Sequence, residues 1–198
     1  MEINGIAHIQ LTVNDLERGI DGYRFDFYVV SAAPVEVVRS ALDGIVPPDH
    51  IIAGRFRYDE ASGEIDSVVG VPAGYGKVEA VDTLRVTLGI PRDRVVYVGD
   101  GTSDLHVMLH VNRGDGFTIA ASETRHITQI AKRTVISDDA LSVLVPILEE
   151  IGGYGPSQIR SLFEEYGFLI QEWDRVRTDW LTIRDSADVS VAASEATA

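Results

Sequence analysis

Short apolar runs alternate with amphipathic stretches along most of this 198-residue chain, and that alternation constrains the fold more than any other feature. Three runs, Phe27-Tyr28-Val29-Val30, Val95-Val96-Tyr97-Val98 and Phe117-Thr118-Ile119-Ala120, are apolar almost throughout. A strand wetted on one face alternates polar with apolar residues, whereas one covered by helices on both faces need not, so the three runs read as central strands of a parallel α/β sheet. Strands are expected over residues 25–31, 94–99, 117–120 and 134–136, with another at 5–13. Helices are expected over 16–23, 34–42, 77–88, 103–111, 124–132 and 139–151. Their ends carry suitable chemistry, with Pro34 near a first turn and Gly89 after Leu88 followed by Pro91.

One section breaks the alternation. Residues 51–58 and 64–71 are β-prone runs separated by Asp59-Glu60-Ala61-Ser62-Gly63, which predicts an inserted β-hairpin. After Ile151, Gly152-Gly153-Tyr154-Gly155-Pro156 reads as a hinge. It leads into a helical extension over 152–185 whose aromatics, Phe163, Tyr166, Phe168, Trp173 and Trp180, fall at the spacing of packing residues. The stretch 186–198 is small and polar and is expected to be disordered.

Composition narrows the function. Seventeen basic against 31 acidic side chains give a net charge of −14, and Lys77 and Lys132 are the only lysines, so a basic groove tracking nucleic-acid phosphates is not expected. No apolar run reaches the roughly 18 residues that cross a bilayer, so no membrane partner is expected either. Without cysteine the chain has no thiolate metal site and no thiol catalysis, and Met1-Glu2-Ile3-Asn4 does not open like a secretory signal. A cytoplasmic protein is the expectation.

The most informative segment is Gly99-Asp100-Gly101-Thr102-Ser103-Asp104, at the end of the Val95 strand. In a parallel sheet the carboxyl ends of strands open into the crevice where ligands bind, and the next helix starts there with free N–H groups. Two carboxylates close together, without cysteine or histidine beside them, suit a hard ion such as Mg²⁺. A tight turn in which Asp104 only supports the helix start would account for the same residues. Ser31, at the end of the Phe27 strand and followed by Ala32-Ala33-Pro34, places a hydroxyl and nearby N–H groups at the same sheet edge, or else caps a helix. Lys77 follows the glycine-rich Gly74-Tyr75-Gly76 at a helix start, where a cation opposes the helix dipole and asks for an anion.

Serine at one strand end, lysine at a helix start and Gly-Asp-Gly-x-x-Asp at a later strand end, in that order, resemble the haloacid dehalogenase superfamily, in particular its phosphoserine-phosphatase-like branch. The resemblance covers about 25–151 and implies a Rossmannoid parallel sheet with a hairpin insertion, the core running over 24–151. It implies Mg²⁺-dependent hydrolysis of a small phosphorylated metabolite. By the same resemblance Ser31 hydrogen-bonds the phosphoryl group with help from the Ala32 backbone, Lys77 neutralises its charge, Asp100 binds Mg²⁺, and Asp104 supports the site or adds a second metal ligand.

The family's nucleophile, the first aspartate of an Asp-x-Asp motif at the end of the first strand, has no counterpart before Ser31. Asp26 sits at the start of the Phe27 strand, about five residues at ~3.3 Å each from Ser31, and so at the wrong edge. Residues 1–23 instead resemble the opening strand and helix of the glyoxalase, or vicinal oxygen chelate, family, whose metal-ligand position falls on His8. If 5–13 fills the vacant central strand through a right-handed crossover, Asp15 comes to the catalytic edge with Glu17 beside it, a degenerate Asp-x-Glu. The alternatives are a non-catalytic remnant with a residual phosphate and Mg²⁺ site, and a glyoxalase-like metalloprotein built on His8. A sheet edge left open by a missing strand would invite self-association. His106 and His110, four apart, have the spacing of zinc ligands but read as surface or supporting histidines.

Overall fold

The computed structural model describes residues 22–137, 139–170 and 173. The strand expected at 5–13, nearly all of the helix at 16–23, His8, Asp15, Glu17, Trp180 and the tail at 186–198 lie outside the described residues. The chain divides into two compact units, Met1–Ile159 and Arg160–Ala198.

In the first unit β1 (Val29–Pro34) runs into helix α1 (Val35–Ala41) and then β2 (Ile51–Tyr58), which lies parallel to β1. Strand β3 (Ile65–Gly70) returns antiparallel to β2, so the inserted hairpin is present, in a mixed sheet of order β1-β2-β3. Its turn is held by the Asp59 carboxylate, which accepts from the Ser62 hydroxyl and the amides of Ala61 and Ser62. Helix α2 (Tyr75–Leu88) leads to β4 (Val96–Gly99), and α3 (Leu105–Arg113), β5 (Phe117–Ala120), α4 (Arg125–Thr128) and β6 (Arg133–Thr134) follow. The last three strands form a parallel sheet of order β4-β5-β6. Helix α5 (Leu144–Glu150) completes the pattern, and α6 (Pro156–Glu165) follows it. This is the α/β architecture that the hydrophobic alternation predicts. Among the described residues β1 and β4 each pair along one side only.

Where boundaries differ from expectation, local chemistry explains the shift. Strand β1 starts at Val29 rather than residue 25 because its partner begins at Ile51, just after the short 3₁₀ turn Pro48–His50. Upstream, the Phe27 carbonyl is hydrogen-bonded to the His50 ring instead. The helix expected at 139–151 is a 3₁₀ turn, Ala140–Val143, before α5 takes over. Pro146 has no N–H to bond the Ser142 carbonyl, so α-helical bonding cannot extend further upstream there. Helix α4 is one turn rather than 124–132, and the chain leaving it is drawn to β5 by the Lys132 amide, which donates to the Thr118 hydroxyl. Glu149 and Glu150 both pair with Arg133, Glu149 at 2.6 Å.

Two apolar clusters position the strand ends. Val46, Ile51 and Ala53 pack with Phe27, Val29, Val35 and Val38 under the mixed sheet. Val81 of α2, Tyr97 of β4, Val107, Met108 and Val111 of α3, Ala120 of β5 and Ile127 of α4 form the other. That cluster locks α2 and α3 against β4, which fixes the helix starts relative to the strand end between them.

Candidate active site

The site is built where β4 ends and α2 and α3 begin. Along β4 side chains alternate, so Tyr97 and Gly99 face inward while Val98 is exposed. Gly99 is required by contact: a Cβ there would lie 2.7 Å from the Asp104 Cβ. The chain turns through Asp100 and Gly101 into the 3₁₀ turn Thr102–Asp104, which brings the Asp104 carboxylate back under the strand end. Its Oδ2 accepts from the amides of Asp100 (3.2 Å) and Gly101 (3.1 Å), as an acidic side chain at the third helical position does in a capping box.

Oδ1 of Asp104 accepts from two side chains. The Tyr97 hydroxyl donates at 2.6 Å and the Lys77 ammonium at 2.5 Å. Asp104 is 2 % exposed and Lys77 7 %, so this ion pair is buried. Burial by itself would raise the Asp104 pKa, but hydrogen bonds from Lys77, Tyr97 and the Gly101 amide, with the lysine charge, outweigh it and hold the carboxyl below its ordinary range. Burial, donation to Asp104 and the charges of Asp104 and Asp100 push the Tyr97 hydroxyl far up, so it is a permanent donor.

Lys77 reaches this position because Gly74 adopts φ 54°, ψ −114°, a backbone conformation open to glycine, and turns the chain into α2. Gly76 passes so close to the Val71 carbonyl that a Cβ would stand 2.9 Å from its oxygen. The lysine therefore enters the helix in its first turn. An ammonium has three N–H donors. One is spent on Asp104 and a second on the Ser103 hydroxyl, whose oxygen lies 3.4 Å from the lysine nitrogen, which leaves one beyond these two contacts.

The structure brings Lys77, Ser103 and Asp104 together, with Asp100 exposed at the rim. Ser31 is half-buried within β1, in the other sheet, and its hydroxyl accepts from the Ala33 amide at 3.2 Å. Ala32 is exposed, and its carbonyl lies against Gly54, where a Cβ would stand 2.9 Å away. No hydrogen bond or ion pair among the described residues joins Ser31 or Ala32 to Lys77, Asp100 or Asp104. Both oxygens of Asp104 are occupied by four donors, which fits a supporting role and leaves no free lone-pair direction for the second metal ligand that the resemblance allowed. The i,i+4 histidines do not form a metal pair: His110 is 3.0 Å from Asp82, and His106 stacks on Tyr75. Among the described residues no three histidine, aspartate or glutamate side chains cluster as a metal cage would.

Sequence reasoning missed Tyr97, Ser103 and Tyr75. Tyr97 alone left a signal, a hydroxyl inside an otherwise aliphatic strand, which when buried needs a partner.

The model of the haloacid dehalogenase-like hydrolases matches residues 22–109, from just before β1 through most of α3. That stretch, which contains Ser31, Lys77, Asp100 and Asp104, is similar to the haloacid dehalogenase-like hydrolases. No curated protein matches the chain.

The strand-end glycines make a paired test of the geometry. Gly99→Ala is expected to lower stability by about 1–3 kcal/mol, the usual cost of forcing a methyl into a packed site. At Gly101 the nearest atom to a Cβ is the Ser103 hydroxyl at 3.9 Å and φ is −136°, so Gly101→Ala should change stability by less than about 1 kcal/mol. Urea unfolding of the two variants distinguishes them.

Proposed function

We propose that this chain binds a small phosphomonoester together with Mg²⁺ and hydrolyses it. The observation that carries the proposal is the buried Lys77 ammonium, which meets Asp104 and Ser103 with two of its three donors near the end of β4, where Asp100 is exposed. The third N–H of that ammonium would donate to a phosphoryl oxygen. The Ser103 hydroxyl adds a second donor next to it. Ser31 and the amide that follows it would grip the phosphoryl group from β1.

The donor set fits Mg²⁺ through one carboxylate. That ion is commonly held by one or two carboxylates while phosphate oxygens and water complete its shell, and Asp100 supplies the carboxylate. When bound it would neutralise charge on the phosphoryl oxygens. Asp104 contributes indirectly, fixing the Lys77 ammonium and the Asp100–Gly101 backbone. Asp15, the one candidate for the missing nucleophile, would attack phosphorus through a carboxylate oxygen as the ester P–O bond breaks and the alcohol leaves with a proton from solvent. Water would then cleave the acyl phosphate to inorganic phosphate and the free carboxylate.

Titration of the full chain with inorganic phosphate in the presence and absence of Mg²⁺ tests the binding half. Asp100→Asn, at an exposed position, should leave the fold intact and weaken Mg²⁺-dependent phosphate binding about tenfold or more. Equal affinity with and without Mg²⁺, or no effect of the variant, would sink the metal assignment. Turnover of an aryl phosphate that disappears in Asp15→Asn supports the nucleophile, and turnover that persists removes Asp15 from the reaction. Binding without turnover points to the non-catalytic remnant.

A further inference from the structure

Four Asp–Gly pairs occur in the chain, and three of them, Asp43–Gly44, Asp100–Gly101 and Asp115–Gly116, lie wholly among the described residues. Such a pair carries a latent reaction, because the glycine nitrogen, with no Cβ beside it, can reach the preceding side-chain carboxyl and close a ring. All three aspartates are exposed, so solvent access does not separate them. The glycine amides do. The Gly101 N–H donates to Asp104 Oδ2 at 3.1 Å and the Asp100 N–H to the same oxygen at 3.2 Å, which fixes the backbone on both sides of Asp100. The Gly116 N–H donates to the Val111 carbonyl at 3.0 Å, and Gly116 is buried where a Cβ would stand 2.6 Å from the Val111 side chain. Gly44, in contrast, is exposed in the turn after α1, with nothing within 4 Å of where its Cβ would be. Among the described residues neither its N–H nor the Asp43 carboxylate has a hydrogen-bond or ionic partner.

We propose that Asp43 is a self-modification site, at which the folded chain converts aspartate to isoaspartate while the pairs at Asp100 and Asp115 are protected. The Gly44 nitrogen bonds to Cγ of the protonated Asp43 carboxyl, the Cγ–OH bond breaks, and the hydroxyl leaves as water with the amide proton, giving a succinimide. Water then adds to one ring carbonyl and the ring C–N bond at that carbon breaks. Opening at Cγ restores aspartate, and opening at the main-chain carbonyl leaves the backbone running through Cγ. Nothing is oxidised or reduced, and the water lost in the first step is regained in the second. The product carries one extra methylene in the backbone of the turn, close before Val46, which is buried under the mixed sheet. At the Asp100 pair the same contacts from Asp104 keep the exposed carboxylate in its native linkage.

The test incubates the full chain at mildly acidic pH, folded in buffer and unfolded in urea, and follows isoaspartate at each pair by peptide mapping with an isoaspartyl methyltransferase as the label. In the folded chain Asp43 should form isoaspartate about three- to tenfold faster than Asp100 or Asp115, the rate factor for a hydrogen bond that must break before ring closure. In urea the three rates should converge, since the local dipeptide is the same. Asp43→Glu keeps the charge at an exposed position but disfavours the larger ring, and should abolish label at that peptide. Three results overturn the proposal: no isoaspartate at Asp43 in the folded chain, a folded rate at Asp100 or Asp115 equal to that at Asp43, or a difference between the pairs that persists unchanged in urea.

Discussion

Asp104→Ala is expected to destabilise the fold by about 3–5 kcal/mol, the cost of removing one partner from a buried ion pair. A domain of this kind has about 5–15 kcal/mol in all, so the loss is a large share. The size follows from how much one carboxylate satisfies. It accepts from the Lys77 ammonium, the Tyr97 hydroxyl and the amides of Asp100 and Gly101, and the two side-chain donors have little access to water once it is gone. Asp104→Asn keeps an acceptor but loses the charge, so it should fall between native and alanine. The same group makes stability depend on acid. Its carboxyl is held below the ordinary value of about 3.9, so an unfolded chain takes up a proton before the folded one does. Its contribution is therefore complete above about pH 4 and is lost as the pH falls through the lower folded value. Urea unfolding followed below pH 4 should show a shallower acid loss in Asp104→Asn than in the native chain. Equal slopes would mean that Asp104 is not paired as described.

Lys77→Met should separate binding from stability. Removing the lysine leaves Asp104 with Tyr97 and two amides, so the stability cost, about 1–3 kcal/mol, is smaller than that of Asp104→Ala. Phosphate affinity should nevertheless fall about ten- to hundredfold, because a charge-assisted hydrogen bond to the phosphoryl oxygens is lost. Calorimetric titration with inorganic phosphate, beside urea unfolding of both variants, reads the two effects separately. If Lys77→Met binds phosphate as well as the native chain, the ammonium serves only to neutralise Asp104 and the site is structural.

The motif segments were legible because each is local. The Gly-Asp-Gly-x-x-Asp turn, the glycine-rich lead into Lys77 and the hairpin around Asp59 are short stretches whose backbone demands are written in neighbouring residues. The hairpin's first strand spans the expected residues 51–58, and β5 those at 117–120. The ends of β1 and α5 were less legible, since one depends on where a distant partner strand begins and the other on a single proline inside an apolar run. His106 and His110 show the same limit from the other side. Their spacing places them on one helix face, yet their roles differ because α2 presents Tyr75 to one and Asp82 to the other.

The amino-acid order determined the class of fold, the position of the turn that carries Asp100 and Asp104, and the presence of a lone lysine at a helix start. Those follow from hydrophobic period, glycine placement and charge, which act over a few residues. Tertiary packing decided what Asp104 is for: it lies between Tyr97 and Lys77, seven and 27 positions away in the chain, and only the docking of α2 and α3 on β4 makes them neighbours. A carboxylate's role depends on which donors surround it in space, and no local pattern records that.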